Sequence, residues 1–226
     1  AGEVVNGLDG LTEKAKEMGA KTKFSATESS EALSYMAMAG WDAQEMYDGL
    51  AGVMNLAAAS GEDLGRTSDI VTDALSAFGL EAKDSGHFAD VLAQTSASAN
   101  TNVSLMGETF KYVAPVAGAM GFNIEDCSLA IGLMANSGIK GSQAGTALRN
   151  VFTRLVKPTK QSQEAIEKLG LQIQNEDGSM KSLDDIIGQL RTSFSGLTDA
   201  QKASYASALA GQYGMSGLLA IVNATD

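Results

Sequence analysis

Apolar residues recur along this chain at spacings of three and four, the signature of amphipathic helices. Met46, Leu50, Val53, Met54 and Ala57 form one stripe, and Leu64, Val71, Ala74, Leu75 and Phe78 form another. Val103, Met106, Phe110, Val113, Ala114, Ala117 and Met120 keep the spacing through Pro115, which predicts a helix kinked at that residue. Start and stop signals bracket these stripes. Asp42 followed by Glu45 fits a capping box, and Ser25 and Asn123 fit N-caps whose oxygens accept from free first-turn amides. Gly40, Gly79 and Gly138 stand where helices end in a left-handed residue. One island breaks the period. LQIQNEDGSMKSL (171–183) alternates Leu171, Ile173 and, after Asp177-Gly178, Met180, which predicts a β-hairpin. Helical spacing resumes at Leu183, Ile186, Ile187 and Leu190. The expected fold is all-α: a multi-helix domain of short, glycine-punctuated helices with one small hairpin near 171–183.

Two segments read as copies of one another. FSATESSEALSYMAMAG (24–40) and FNIEDCSLAIGLMANSG (122–138) share six identities without a gap: Phe24/Phe122, Ser30/Ser128, Ala32/Ala130, Met36/Met134, Ala37/Ala135 and Gly40/Gly138. LGRTSDIVTDALSAFG (64–79) is a looser third version. Capped helices rich in alanine and methionine also resemble one another by composition alone. On either reading the unit is a capped helix, a glycine stop and another helix.

Composition sharpens this picture. The 226 residues include 34 alanines and 25 glycines against two prolines, so helices packing through small side chains are expected. The chain does not begin with methionine, and both ends read as cut from a longer protein. The net charge of −11 is unevenly spread. Residues 28–108 carry thirteen acids against Arg66 and Lys83, a balance that repels nucleic acid. Residues 140–168 carry Lys140, Arg149, Arg154, Lys157, Lys160 and Lys168 against Glu164 and Glu167, too small a patch to indicate a specific nucleic-acid site. The single cysteine, Cys127, excludes an internal disulfide framework and suits folding in the cytoplasm. Residues 203–225 carry no charge, but their continuous apolar block is only LLAIV at 218–222. Buried helices with a polar link are expected there, with membrane contact as the second reading.

Candidate chemistry is sparse. His87 is the only histidine and has no local Cys or Ser motif to pair with. Cys127 falls on the apolar face of a helix, where a small buried thiol is ordinary. One Cys and one His cannot build a zinc site. NEDGS (175–179) lacks the alternating ligands and closing glutamate of a calcium loop. Glu125-Asp126 and Asp184-Asp185 stand near helix starts, where the helix dipole favours acids. No cofactor, metal or catalytic residue is expected, and the chain does not read as an enzyme.

The stretch SGIKGSQAGTALRN (137–150) invites a phosphate-loop reading and fails it. A Walker loop places lysine directly after its last glycine and follows a strand, whereas Lys140 precedes Gly141 here and the preceding element is helical. Helical phase fits instead. Gly141, Ala144, Gly145, Leu148, Val151, Phe152 and Leu155 fall on one face, and Ser142, Gln143, Thr146, Arg149, Asn150, Thr153 and Lys157 on the other. Gly138, Gly141, Ala144, Gly145, Leu148 and Phe152 are therefore expected to form a helix-packing motif, with small residues admitting a second helix backbone.

Residues 71–159, in particular the DALSAFGL, KYVAPVAGAMG and SGIKGSQAGTALR runs, closely resemble the core region of bacteriophage tail tape measure proteins. The resemblance runs from near residue 24 to about residue 222, which makes 24–226 the core helical domain and 1–23 an N-terminal helical extension. It implies a structural part of a long-tailed phage or prophage, within a long helical chain that lies in the tail lumen and sets tail length. Such a chain is assembled in the bacterial host cytoplasm and leaves the tail when DNA is delivered. The implied partners are tail tube proteins, tail assembly chaperones, tail tip or baseplate proteins and further copies of the chain. No catalytic residue is implied for the matched region. The segment is too short and too punctuated to be the extended ruler itself, and a compact helical module within it is expected. The alternative function is a membrane-active module helping to form a DNA path through the host envelope.

Overall fold

The computed structural model describes residues 7–224. Among them are eleven α-helices: α1 (Gly7–Lys21), α2 (Ala26–Met38), α3 (Ala43–Ser60), α4 (Leu64–Phe78), α5 (Ser85–Ser98), α6 (Val103–Ala119), α7 (Ile124–Asn136), α8 (Gly141–Val156), α9 (Lys160–Leu169), α10 (Leu183–Ser195) and α11 (Asp199–Val222). A single 3-10 turn, Ala82–Asp84, precedes α5. Residues 1–6 of the expected N-terminal extension, and Thr225 of the charge-free run, lie outside the described residues.

The helices begin and end for local reasons. Ser25 and Asp42 each complete a capping box, accepting from the Glu28 and Glu45 amides while those carboxylates accept from the cap backbone. Asp63, Asn102, Asn123, Thr159, Ser182 and Thr198 cap α4, α6, α7, α9, α10 and α11 through side-chain oxygens. Five helices close with a glycine followed by an apolar residue whose amide reaches five residues back. The bonds are Trp41 to Met36, Leu80 to Leu75, Phe122 to Ala117, Ile139 to Met134 and Leu171 to Ile166, at 2.9–3.1 Å. This ties up one of the free terminal carbonyls and turns an apolar side chain back onto the helix.

Apart from α1 on α2 and α8 on α11, the helices that pack most heavily are those two apart in the chain. One layer runs α2, α4, α6, α8, α11, and the second runs α3, α5, α7, with α10 against α7 and α11. Helix α1 lies across α2 and α3 at one end, burying Leu11, Ala15 and Met18. Helix α9 lies on α11 at the other end. One continuous core fills the space between the layers, from Leu11 to Val222. The near-copies form matching helices, α2 and α7, each thirteen residues long with the same start and the same closing bond. They stand in different layers, however, so the likeness belongs to the capped helix and not to a symmetric architecture.

The expected hairpin does not form. Among the described residues 171–183 hold no strand, only an isolated antiparallel bridge between Gln174 and Met180. The Asp177-Gly178 turn is present, with the Asp177 carboxylate accepting from the Ser179 amide (2.9 Å) and hydroxyl (2.6 Å). The arms are spoken for elsewhere. The Leu171 amide closes α9, Ser182 caps α10, and the Gln189 side chain bonds both the amide and the carbonyl of Gln172 (2.7 and 2.9 Å). Two backbone bonds do cross between the arms, from the Asn175 amide to the Ser179 carbonyl (2.8 Å) and from the Lys181 amide to the Ile173 carbonyl (3.0 Å). Pairing stops there because the next inward group, the Leu171 amide, is committed to α9.

Pro115 lies inside α6, which remains one helix. The charge-free run forms most of α11, and its break is a single residue: Gly211, at φ 71° and ψ 175°, separates two helical halves. No helix among the described residues is long and apolar enough to cross a membrane.

Candidate functional site

The polar candidates do not converge. His87, on α5, pairs through Nε2 with the Glu125 carboxylate at the start of α7, and both side chains are largely exposed. Cys127 is buried, and burial, helped by the neighbouring Asp126 and Glu125 carboxylates, pushes its thiol far above the ordinary range. Asp177 is held below the ordinary carboxylate range by the Ser179 hydroxyl and amide, so it serves its own turn. Asp184 and Asp185 occupy the first turn of α10, and Glu125 and Asp126 that of α7. No three His, Cys, Asp or Glu residues come together as metal ligands among the described residues. The basic residues of 140–168 form no ion pair among the described residues, and Arg154 instead donates to a backbone carbonyl.

What the structure does bring together is a series of seams in which a side chain or backbone of one helix sits on a glycine of another. In the first layer the Tyr35 ring of α2 covers Gly65 of α4, where an added Cβ would meet it at 2.7 Å. Ile70 of α4 covers Gly107 of α6 at 2.5 Å. On the next step Gly145 of α8 faces the Thr109 carbonyl oxygen (2.7 Å) and the Tyr112 Cβ (2.8 Å) of α6. On the last, Gly217 and Gly214 of α11 face the Ala147 Cβ (2.8 Å) and carbonyl oxygen (3.1 Å) of α8. The second layer repeats the device once, with Gly52 of α3 against the Ser85 carbonyl carbon and hydroxyl of α5, both at 2.5 Å. Real Cβ atoms do not approach other atoms closer than 3.0 Å, so where the facing atom is backbone, at Gly52 and Gly145, the helices lie nearer than alanine would permit.

The residues of 137–150 divide accordingly. Gly141, Ala144, Gly145, Leu148 and Phe152 share the buried face of α8, joined by Ala147, Val151 and Leu155. The Thr109 hydroxyl lies 3.0 Å from both the Gly141 and Leu105 carbonyl oxygens, tying the start of α8 to α6. Phe152 packs on Phe122 with ring centroids 4.8 Å apart. Gly138 is not part of this face: it is exposed at φ 85°, in the turn that closes α7. Sequence reasoning missed the seams at Gly52, Gly65, Gly107, Gly214 and Gly217. The available signal was glycine inside a helix, which costs about 1 kcal/mol against alanine and so needs a packing reason.

The fold is an all-α stack whose helices meet at close glycine contacts. The chain belongs to the phage-related minor tail protein family, whose model matches residues 12–211. It is 42% identical over 224 residues to the tape measure protein of Pneumococcus phage Dp-1, covering 99% of this chain and 20% of that relative. It is 28% identical over 218 residues to the probable tape measure protein of Escherichia phage P2, covering 96% of this chain and 27% of that relative. The chain thus spans about a fifth to a quarter of the length of these relatives. The likeness begins earlier than residue 24, since the family match opens at residue 12 within α1. No solved structure matches the chain.

Proposed function

We propose that this chain is a non-enzymatic structural module of a phage tail tape measure protein, contributing to tail assembly and length determination and to DNA delivery. The observation that carries the reading is the family match across most of the chain, on a fold whose closest contacts are packing seams and not a reacting centre. Residues 24–226 act as the core domain, with α1 as an extension docked on it. The module works in the tail lumen after assembly in the host cytoplasm. Its partners are tail tube proteins, assembly chaperones, tail tip or baseplate proteins and other copies of itself. Exposed apolar side chains such as Met38, Leu129, Val156 and Tyr213 supply contact points, as do the exposed Lys157, Lys160 and Lys168. The acidic stretch 28–108 keeps passing DNA from sticking. In-frame deletion of this module from its parent gene, followed by imaging of tails and a DNA-delivery assay, tests the reading. Aberrant or absent tails are expected; normal tails of unaltered length that deliver DNA would overturn it.

A further inference from the structure

Helix α11 is interrupted at one residue and helical on both sides of it. Gly211 takes φ 71° and ψ 175°, a conformation that side-chain-bearing residues rarely adopt. In an unbroken helix the Ala208 carbonyl would accept from the Gln212 amide. The extended ψ at Gly211 turns that amide away, and two groups from other helices take its place. Arg154 of α8 donates through Nη1 to the Ala208 carbonyl oxygen at 3.2 Å, and the Ser162 hydroxyl at the start of α9 donates to the same oxygen at 2.7 Å. Ser162 is fully buried. The Arg154 guanidinium also lies against Gly211 itself, 2.8–3.0 Å from where a Cβ would stand. One carbonyl is therefore shared out between two donors from other helices, next to the residue at which α11 breaks.

We propose that Gly211 is a hinge between two forms of α11, broken as seen here or straight, and that Arg154 and Ser162 are the latch of the broken form. In the broken form the half Asp199–Ala210 lies on α9, with Ala206, Leu209 and Ala210 buried. Straightening gives the Ala208 carbonyl back to Gln212 and lifts that half away. It thereby uncovers the apolar side chains Ala165 and Ile166 of α9. The hinge rests on the geometry of α11 and not on the tail assignment, so failure of one leaves the other standing.

The test uses the 226-residue chain with spin labels at Gln201 and Asn223, both exposed, in a Cys127→Ala background. A straight helix places these positions about 33 Å apart along its axis, at about 1.5 Å per residue. The parent chain is expected to show a shorter main distance. Arg154→Gln combined with Ser162→Ala should raise the population near that longer distance several-fold, and Gly211→Ala should make it dominant. Absence of the long distance from the double variant, while it retains the parent's cooperative thermal transition, would overturn the hinge. So would Gly211→Ala folding with the parent's short distance. If Gly211→Ala does not fold, the latch variant alone decides.

Discussion

Tyr112 lies over the backbone of Gly145, so that a Cβ at position 145 would stand 2.8 Å from the Tyr112 Cβ and 2.7 Å from the Thr109 carbonyl oxygen. The carbonyl belongs to the helix backbone and cannot swing aside. Gly145→Ala should therefore destabilise the chain by about 1–3 kcal/mol, the usual cost of overpacking, although alanine favours helix. Gly145→Leu should abolish soluble folding. Gly188→Ala is the control, because Gly188 is exposed on α10 with open space around it, and stability should rise by up to about 1 kcal/mol. Urea titrations followed by circular dichroism separate the two, and equal effects at 145 and 188 would refute the seam.

The Gly107 seam is cushioned differently, since the atoms in the way are the outer carbons of Ile70. Gly107→Ala should cost stability with Ile70 present and far less in an Ile70→Ala background. The double-mutant coupling is expected to be at least about 1 kcal/mol. Strict additivity would mean that the two helices already stand apart.

Acidification should loosen the end of α1 and the start of α2. The Ser25 amide, with its hydroxyl, holds the Glu28 carboxyl below the ordinary value of 4.5, and Lys21 with Lys14 does the same for Glu17. A carboxylate whose folded value is depressed contributes stability that is fully present above its unfolded value and is lost as pH falls through the folded one. The window therefore opens near pH 4.5 and extends downward. Glu28→Gln removes one of these groups, so its melting temperature should drop less between about pH 6 and about pH 3 than that of the parent. Identical slopes would show that the capping box carries no proton linkage.

Cys127 should be silent toward thiol reagents. It is buried, and burial beside Asp126 and Glu125 disfavours the thiolate that reacts. A chromogenic disulfide reagent should titrate no thiol in the native chain and one after denaturation. Rapid native labelling would contradict the packing of α7.

Helix ends were legible because each depends on residues a few positions apart. Asp42 with Glu45, Asn123 with Asp126, and Gly138 with Ile139 and Met134 all carry their partners within one turn. The buried face of α8 was legible for the same reason, since Gly141, Ala144 and Gly145 recur at helical spacing. The hairpin was misread because its arms run directly into helices: the Leu171 amide closes α9 and Ser182 caps α10, which leaves room for a single bridge between Gln174 and Met180. The other seams escaped because their partners are distant. Gly65 and Gly107 are single glycines whose meaning lies in Tyr35 and Ile70, about thirty to forty residues earlier, and only the folded stack pairs them.

The order of the two layers has a consequence for how the chain is made. Each helix from α1 to α8 finds its heaviest partner no more than two helices away along the chain. A growing chain emerging from the ribosome can therefore settle α1 on α2 and α3 before α8 has been synthesised. Each later helix arrives at a surface already waiting for it. Synthesis itself becomes the assembly line, and few apolar faces need stay uncovered for long.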